Sequence, residues 1–296
     1  MNFIWILLFL PFHEVLATEY CSDVLKCNGI TNSGCDCNFG PNCQAPKEHT
    51  ITDAIRNSLL VAHNKYREKV ASNDEKRGGI QGGATKMYAL QYDKELEYTA
   101  TCWNKKCTFA HDQCRITEVF RPAGQNLYWS SGKGCSWNFN LNQATELWYD
   151  EVKDMTKECF EAYGIGCESS KVGHFTQMIW AETTHVGCSL VEYAGPTCQL
   201  ACNYGPAGNF LKEEVFKCGV PASECDFKSK VYKHLCLLSS DQEEEDEKNI
   251  QERGIKDRDT GQPNMTIVRS SADVIRMNRQ KFVFKFLMIL SCFVLL

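Results

Sequence analysis

No run of basic residues crosses the middle of this chain. Its 32 Lys and Arg are outnumbered by 37 Asp and Glu, for a net charge of −5, so nucleic acid is not an expected partner. Also missing is a Gly-x-Ser-x-Gly elbow that would present a serine nucleophile. The glycine-rich stretch Arg77 to Gly83 (RGGIQGG) lacks the spacing and the Lys-Ser/Thr ending of a phosphate loop. It reads as a mobile surface loop. The apolar C-terminal run, Phe282 to Leu296, has only fifteen residues, short of the roughly twenty that a membrane span needs.

Cysteine, by contrast, is abundant. Eighteen in 296 residues suit an oxidising compartment and not a reducing cytosol. The N-terminus agrees: Ile4 to Phe12 is a short apolar run, and Val15-Leu16-Ala17 suits cleavage after Ala17. No Lys or Arg precedes the run, but residues 1–17 otherwise fit a signal peptide.

Residues 18–49 hold five cysteines, Cys21 to Cys43, among Gly, Asn, Ser and Pro. Such a segment cannot bury a core of its own and is expected to lie on the main domain, tied by disulfides. The main domain is placed at 50–217. Thr50 and Asp53 suggest a capping box, and Ile55, Leu59, Ala62, Tyr66 and Val70 follow a helical period. A second helix is predicted from Asp93 to Asn104, with Leu96, Ala100 and Trp103 inward. A third is predicted from Asn142 to Met155, with Ala144, Trp148 and Val152 inward. Strand signals run over Thr184 to Glu192 and Cys198 to Tyr204. A hairpin centred near Gly195 would set Cys188 opposite Cys202. Helices flanking a small antiparallel sheet make this an α/β chain, a disulfide-rich α-β-α sandwich.

Beyond the main domain come a cysteine-containing extension (218–238) and an acidic polar linker (239–281). Six of the seven residues from Asp241 to Glu247 are acidic, a solvated composition. The linker carries the only Asn-x-Ser/Thr sequon, at Asn264, an expected glycosylation site. Ser270-Ser271-Ala272, a polar spacer and the apolar tail 282–296 have the arrangement of a GPI-attachment signal. A tail helix retained in the membrane is the alternative.

Three side chains stand out for chemistry. Glu151 lies three residues after Trp148 and seven after Ala144, which places it on the apolar face of the third predicted helix. A carboxylate turned inward needs a cation, a proton or hydrogen-bond donors. His111 and His174 are the natural candidates, and two imidazoles with a carboxylate also form a reasonable ligand set for a divalent metal such as zinc. His63 reads as a packed helix residue, not a ligand.

The segments around these residues carry a resemblance. His174 to Cys188 (HFTQMIWAETTHVGC), Cys202 to Phe210 (CNYGPAGNF), His63-Asn64-Lys65-Tyr66-Arg67 and Gly124-Gln125-Asn126-Leu127 match, in order, four motifs of the CAP superfamily. That superfamily holds cysteine-rich secretory proteins, antigen 5 and plant pathogenesis-related proteins. The flanking LWYDEVKD (Leu147 to Asp154) and CTFAHDQCR (Cys107 to Arg115) are similar to insect antigen 5 proteins. The resemblance spans Cys21 to Lys217 and implies a central cleft with two His and two Glu. Here the cleft positions are His111, Glu151 and His174, with Gln125 where a second Glu is common. Glutamine keeps hydrogen-bonding capacity and loses the charge, which weakens acid/base pairing and lowers the ligand charge for a metal.

The resemblance also implies disulfides Cys27–Cys114, Cys43–Cys107 and Cys188–Cys202, and pairs Cys21 with Cys35 or Cys37. Cys159 and Cys167 enclose a short loop and could pair. Cys102, Cys135, Cys198, Cys218, Cys225 and Cys236 stay unassigned. With Cys292 removed by processing, seventeen cysteines would remain, and an odd count leaves one free or intermolecular.

The function implied is a secreted or surface-tethered, non-enzymatic binding protein for a lipid or sterol, a small ligand or a protein receptor. No cofactor is required, and a divalent metal is an option. The alternatives are a metal-assisted hydrolase using His111, Glu151 and His174, and a cell-surface interaction module.

Overall fold

The computed structural model describes residues 19–239, apart from 133 and 196. The expected signal peptide, the acidic linker, Asn264, the attachment site near 270–272 and the tail lie outside the described residues.

Strand β1 is Lys47–Glu48, and helix α1 is Asp53–Ala71. Thr52, not Thr50, caps α1, its side chain accepting from the Ile55 N–H. Short strands β2 (Gly83–Ala84) and β3 (Gln91–Tyr92) precede α2 (Lys94–Asn104), which Asp93 caps. Then come β4 (Gly124–Ser131), α3 (Trp137–Asp150), α4 (Lys157–Glu161) and α5 (Ser169–Ile179). The long hairpin β5 (His185–Tyr193) and β6 (Thr197–Gly205) follows, and then the short strands β7 (Cys218–Gly219), β8 (Phe227–Lys228) and β9 (Cys236–Leu237).

The main sheet runs β1-β5-β6-β4 with antiparallel neighbours, and β3 adds to β5 in parallel. Cys188 faces Cys202 across β5 and β6, and the two are bonded. Helix α2 packs on one face, while α1, α3 and α5 pack together against the other. Both faces are covered, so the central strands are buried almost continuously and show no in–out alternation. Val186, Cys188, Leu190, Leu200, Cys202 and Tyr204 join the large core under α1, α3 and α5. Ala201 meets Ala100 of α2 and Leu127 on the opposite face. Gly187 is what lets α2 come down so closely: a Cβ there would stand 2.2 Å from the Glu97 nitrogen.

Three sequence expectations are corrected. The third helix begins at Trp137, capped by Ser136, and ends at Asp150; Glu151 opens a separate 3-10 turn, Glu151–Asp154. Trp103 is only half-buried, because its indole N–H reaches out to the Ala110 carbonyl at 2.7 Å. The glycine-rich loop is packed against the domain and not free of contacts: Arg77 bonds Glu75 and Asp150. Gly78 and Gly79 adopt positive φ, and a Cβ on Gly78 would lie 2.5 Å from the Val152 carbonyl. The organiser is Glu75, a buried carboxylate that takes Lys69, Arg77 and the Tyr149 hydroxyl, and these donors hold its pKa well below the usual carboxylate range.

The N-terminal extension is tied down at Cys27–Cys114, Cys37–Cys102 and Cys43–Cys107, and Cys21 closes on Cys35. Cys135–Cys198, Cys159–Cys167 and Cys225–Cys236 complete the pairs. Among the described residues Cys218 is the free one; it is exposed, and partial loss of hydration at its thiol raises the pKa. Residues 218–238 are part of the same body. Strand β7 pairs with β2, Tyr232, Leu235 and Leu237 enter the main core, and Glu68 of α1 holds His234 by its ring at 2.7 Å and its N–H at 3.0 Å.

Candidate functional site

The cleft residues come from four separate elements. Glu151 sits where α3 turns into the 3-10 segment, and His174 is in the middle of α5. Gln125 is the second residue of β4, and His111 is in the irregular segment between α2 and β4.

Glu151 grips α5 at three points. Its Oε1 accepts from the His174 ring Nδ1 at 2.6 Å, and its Oε2 accepts from the backbone N–H groups of His174 at 2.9 Å and Phe175 at 3.0 Å. The helix end that carries Glu151 therefore aims the imidazole. The ring also stacks on Trp148 of α3, with centroids 5.9 Å apart and planes within 13°. With the proton on Nδ1, the lone pair of His174 is on Nε2.

His111 is held in a parallel way by a neutral group. Its Nδ1 lies 2.8 Å from the Gln125 Oε1. A carbonyl oxygen only accepts, so Nδ1 donates and Nε2 again carries the lone pair. The Gln125 Nε2 donates to Asn203 of β6, whose amide in turn donates to Thr99 of α2. This relay fixes which end of the Gln125 amide faces the histidine. His111 is an exposed residue. Loss of hydration pushes its pKa down; the Gln125 contact partly offsets this, and the positive fields of Arg115 and His174 lower it further. The lowered pKa favours the neutral ring near neutral pH.

The structure thus brings all four sequence-derived cleft residues into two matched pairs and changes the roles of two. Glu151 is an orienting carboxylate whose oxygens are already bonded, and Gln125 is its uncharged counterpart. Such partners set the tautomer and basicity of a metal-ligating histidine. A divalent cation taken up here would have the two imidazole nitrogens as its protein ligands, because both Glu151 oxygens are already bonded. The cleft does not supply the three-residue set of His111, His174 and Glu151. A tighter grouping of possible ligands among the described residues is His49, Cys135 and Glu192. There Cys135 is bonded to Cys198, so no thiolate is on offer.

Behind the cleft stands a network of which the sequence placed only His63, as a packed helix residue. Asn126, adjacent to Gln125, donates to the His174 carbonyl at 3.0 Å and to the Tyr204 hydroxyl at 3.3 Å. Tyr204 lies 2.9 Å from the His63 Nε2, and the His63 Nδ1 lies 2.9 Å from the Leu59 carbonyl. His63 is fully buried, and burial pulls its pKa down to about 4. Arg67, also fully buried, donates to the carbonyls of Tyr88, Met178, Trp180, Ala181 and Thr183 and so holds the chain leaving α5. Both residues belong to the His63–Arg67 motif. Their four-residue spacing on α1 was the available signal that they share a buried face.

The family model of the cysteine-rich secretory proteins (CAP) matches residues 60–204. The chain is 37% identical over 214 residues to venom allergen 5.02 of Dolichovespula maculata, covering 68% of this chain and 95% of that protein. It is 37% identical over 215 residues to venom allergen 3 of Solenopsis invicta, covering 69% and 91%. Among solved structures, the crystal structure of NaASP2 with Zn2+ superposes with a TM-score of 0.56 at 31% identity, covering 67% of this chain and 100% of that one.

Proposed function

Because this chain belongs to the cysteine-rich secretory (CAP) family and is venom allergen 5-like, we propose that it acts outside the cell as a non-enzymatic binding protein. Its cleft takes a divalent cation, with zinc as the test ion, and a small or lipid-like ligand at the Nε2 atoms of His111 and His174. The observation that carries this reading is the matched pair of orienting contacts, which engage Nδ1 of both imidazoles and turn Nε2 of each to the other side of its ring. The relative NaASP2, crystallised with Zn2+, supports the same reading.

A metal-assisted hydrolase would need a group free to move a proton. Glu151 is bonded at three points, and Gln125 carries no ionisable group. No serine or cysteine side chain is bonded to either imidazole among the described residues.

Native mass spectrometry of the mature protein tests the proposal. Retained zinc or lipid, lost on His111→Ala, is the expected result. A protein free of both, with no zinc uptake on titration, overturns it. Zinc-dependent turnover abolished by Glu151→Ala would replace it with the hydrolase. The tail arrangement supports tethering at the cell surface by a GPI anchor. Release by a phosphatidylinositol-specific phospholipase is the expected outcome, and a chain found only in the medium rejects the tether.

A further inference from the structure

His111 is in a stretch with no helix or strand of its own, so something else must fix it. The sheet reaches its ring through one hydrogen bond, from Gln125. The helix side reaches the backbone through the Trp103 N–H to the Ala110 carbonyl, and β6 reaches it through the Gln199 amide to the Thr108 carbonyl. Arg115 ties the stretch to the Ala123 carbonyl just before β4, and a further set of ties comes from the cysteine-rich N-terminal segment and brackets the histidine. Cys43 bonds Cys107, four residues before it, and Cys27 bonds Cys114, three residues after it. Between those bonds, the Ser33 hydroxyl donates to Asp112 at 2.5 Å and the Ser33 N–H donates to the Cys114 carbonyl at 2.8 Å. Asn32 adds a bond to the Ile116 carbonyl at 2.8 Å.

Asp112 is the pivot of this clamp. It adjoins His111, and its carboxylate is almost wholly buried, with 1% of the side chain exposed. A carboxylate so placed must have donors. One oxygen takes the Arg115 guanidinium and the other takes Ser33, 79 residues away in sequence.

We infer that the N-terminal segment is a positioning device for the cleft, with Ser33 and Asp112 setting where the His111 ring stands. The function of the segment is then not only to staple a small domain. It holds one of the two imidazoles in register with the other. Ser33 and Asp112 touch no ligand; they act through His111. The inference rests on the cation-binding reading only for its effect on affinity.

The test uses the intact protein and two readouts. Zinc affinity is measured by competition with a chromophoric chelator. The tautomer of each histidine is read from its ring ¹⁵N shifts, without metal. In the native protein His111 should show a fixed Nδ1–H form. In Ser33→Ala that signature should relax toward an averaged imidazole, zinc affinity should fall about tenfold, as for other orienting partners of metal-bound histidines, and the His174 signals should stay put. Ser33→Thr, which keeps the hydroxyl, should restore both readouts. In a His111→Ala background, Ser33→Ala should change zinc affinity no further.

Unchanged His111 signals in a folded Ser33→Ala protein would overturn the inference. So would a shift of both histidines together, which would mark general loosening. If the native protein binds no zinc, the cation-binding reading fails, and the ¹⁵N signature alone still decides whether the segment positions His111.

Discussion

His174 stands on a helix, where one carboxylate takes its ring proton and two backbone N–H groups; His111 stands on an irregular segment between two disulfides and gives its ring proton to a neutral amide. The two imidazoles present the same lone pair, but they are held there in different ways. One depends on charge and on the packing of α1, α3 and α5. The other depends on covalent closure and on the amide relay to α2. Conditions that disturb charge or the helix core should therefore reach His174 first, and conditions that disturb the N-terminal ties should reach His111.

The largest effect is expected from the helix side. Arg67→Ala would leave four carbonyls between Met178 and Thr183, and that of Tyr88, without their buried donor. Removing a buried, fully bonded charge of this kind costs about 3–5 kcal/mol. Urea unfolding measures it. A loss below about 1 kcal/mol would show that the chain leaving α5 does not depend on this residue.

Acid comes next. The folded protein holds His63 near a pKa of about 4 by burial, below the 6.5 of an ordinary histidine. The unfolded chain therefore takes up this proton first. Stability is full above about 6.5 and is lost as the pH falls from there toward 4, a term of about 3 kcal/mol. His111, whose pKa is also lowered, adds loss in the same direction. Unfolding midpoints measured from pH 7 to pH 4 should fall, and a His63→Gln protein should show a flatter slope. An equal slope in both would assign the acid sensitivity elsewhere.

Glu151→Ala removes three charge-assisted hydrogen bonds at once and should cost about 2 kcal/mol. It should also free the His174 tautomer while leaving that of His111 intact. Glu151→Gln should lose less. If the two histidines respond alike, the division between the two sides of the cleft is wrong.

The smallest change sharpens the contrast by abolishing it. Gln125→Glu would give His111 the same kind of partner that His174 has. Its pKa should rise, and zinc should bind more tightly near neutral pH. Histidine titration by NMR reads the first effect and chelator competition the second. Folding stability should move by less than about 1 kcal/mol.

How much of this was legible depended on how local the signal was. The β5–β6 hairpin could be read because its turn and its two cysteines are adjacent in sequence. The end of the third helix could not, because Ala144, Trp148 and Val152 keep a helical period across the break at Glu151. Helix α5 is legible only in part: Val172, Phe175, Thr176 and Ile179 carry the spacing of a buried face, but Gly173 and the short length of the segment weaken the signal. The glycine-rich loop looked mobile because glycine favours turns whether they are free or packed. What packs it, the charge cluster on Glu75, comes from residues that look like ordinary surface charges in sequence.

By itself the sequence determined the family, the oxidising compartment, the layered α/β class and the four residue types of the cleft, because motifs and periodicities survive without coordinates. Only the tertiary structure decided which group holds which imidazole, that Cys21 closes on Cys35 while Cys37 reaches Cys102, and that Cys218 is left free among the described residues. Those outcomes join residues far apart in the chain. Their selection depends on chain closure, burial and the number of donors available to a buried carboxylate, and none of these is a property of neighbouring residues.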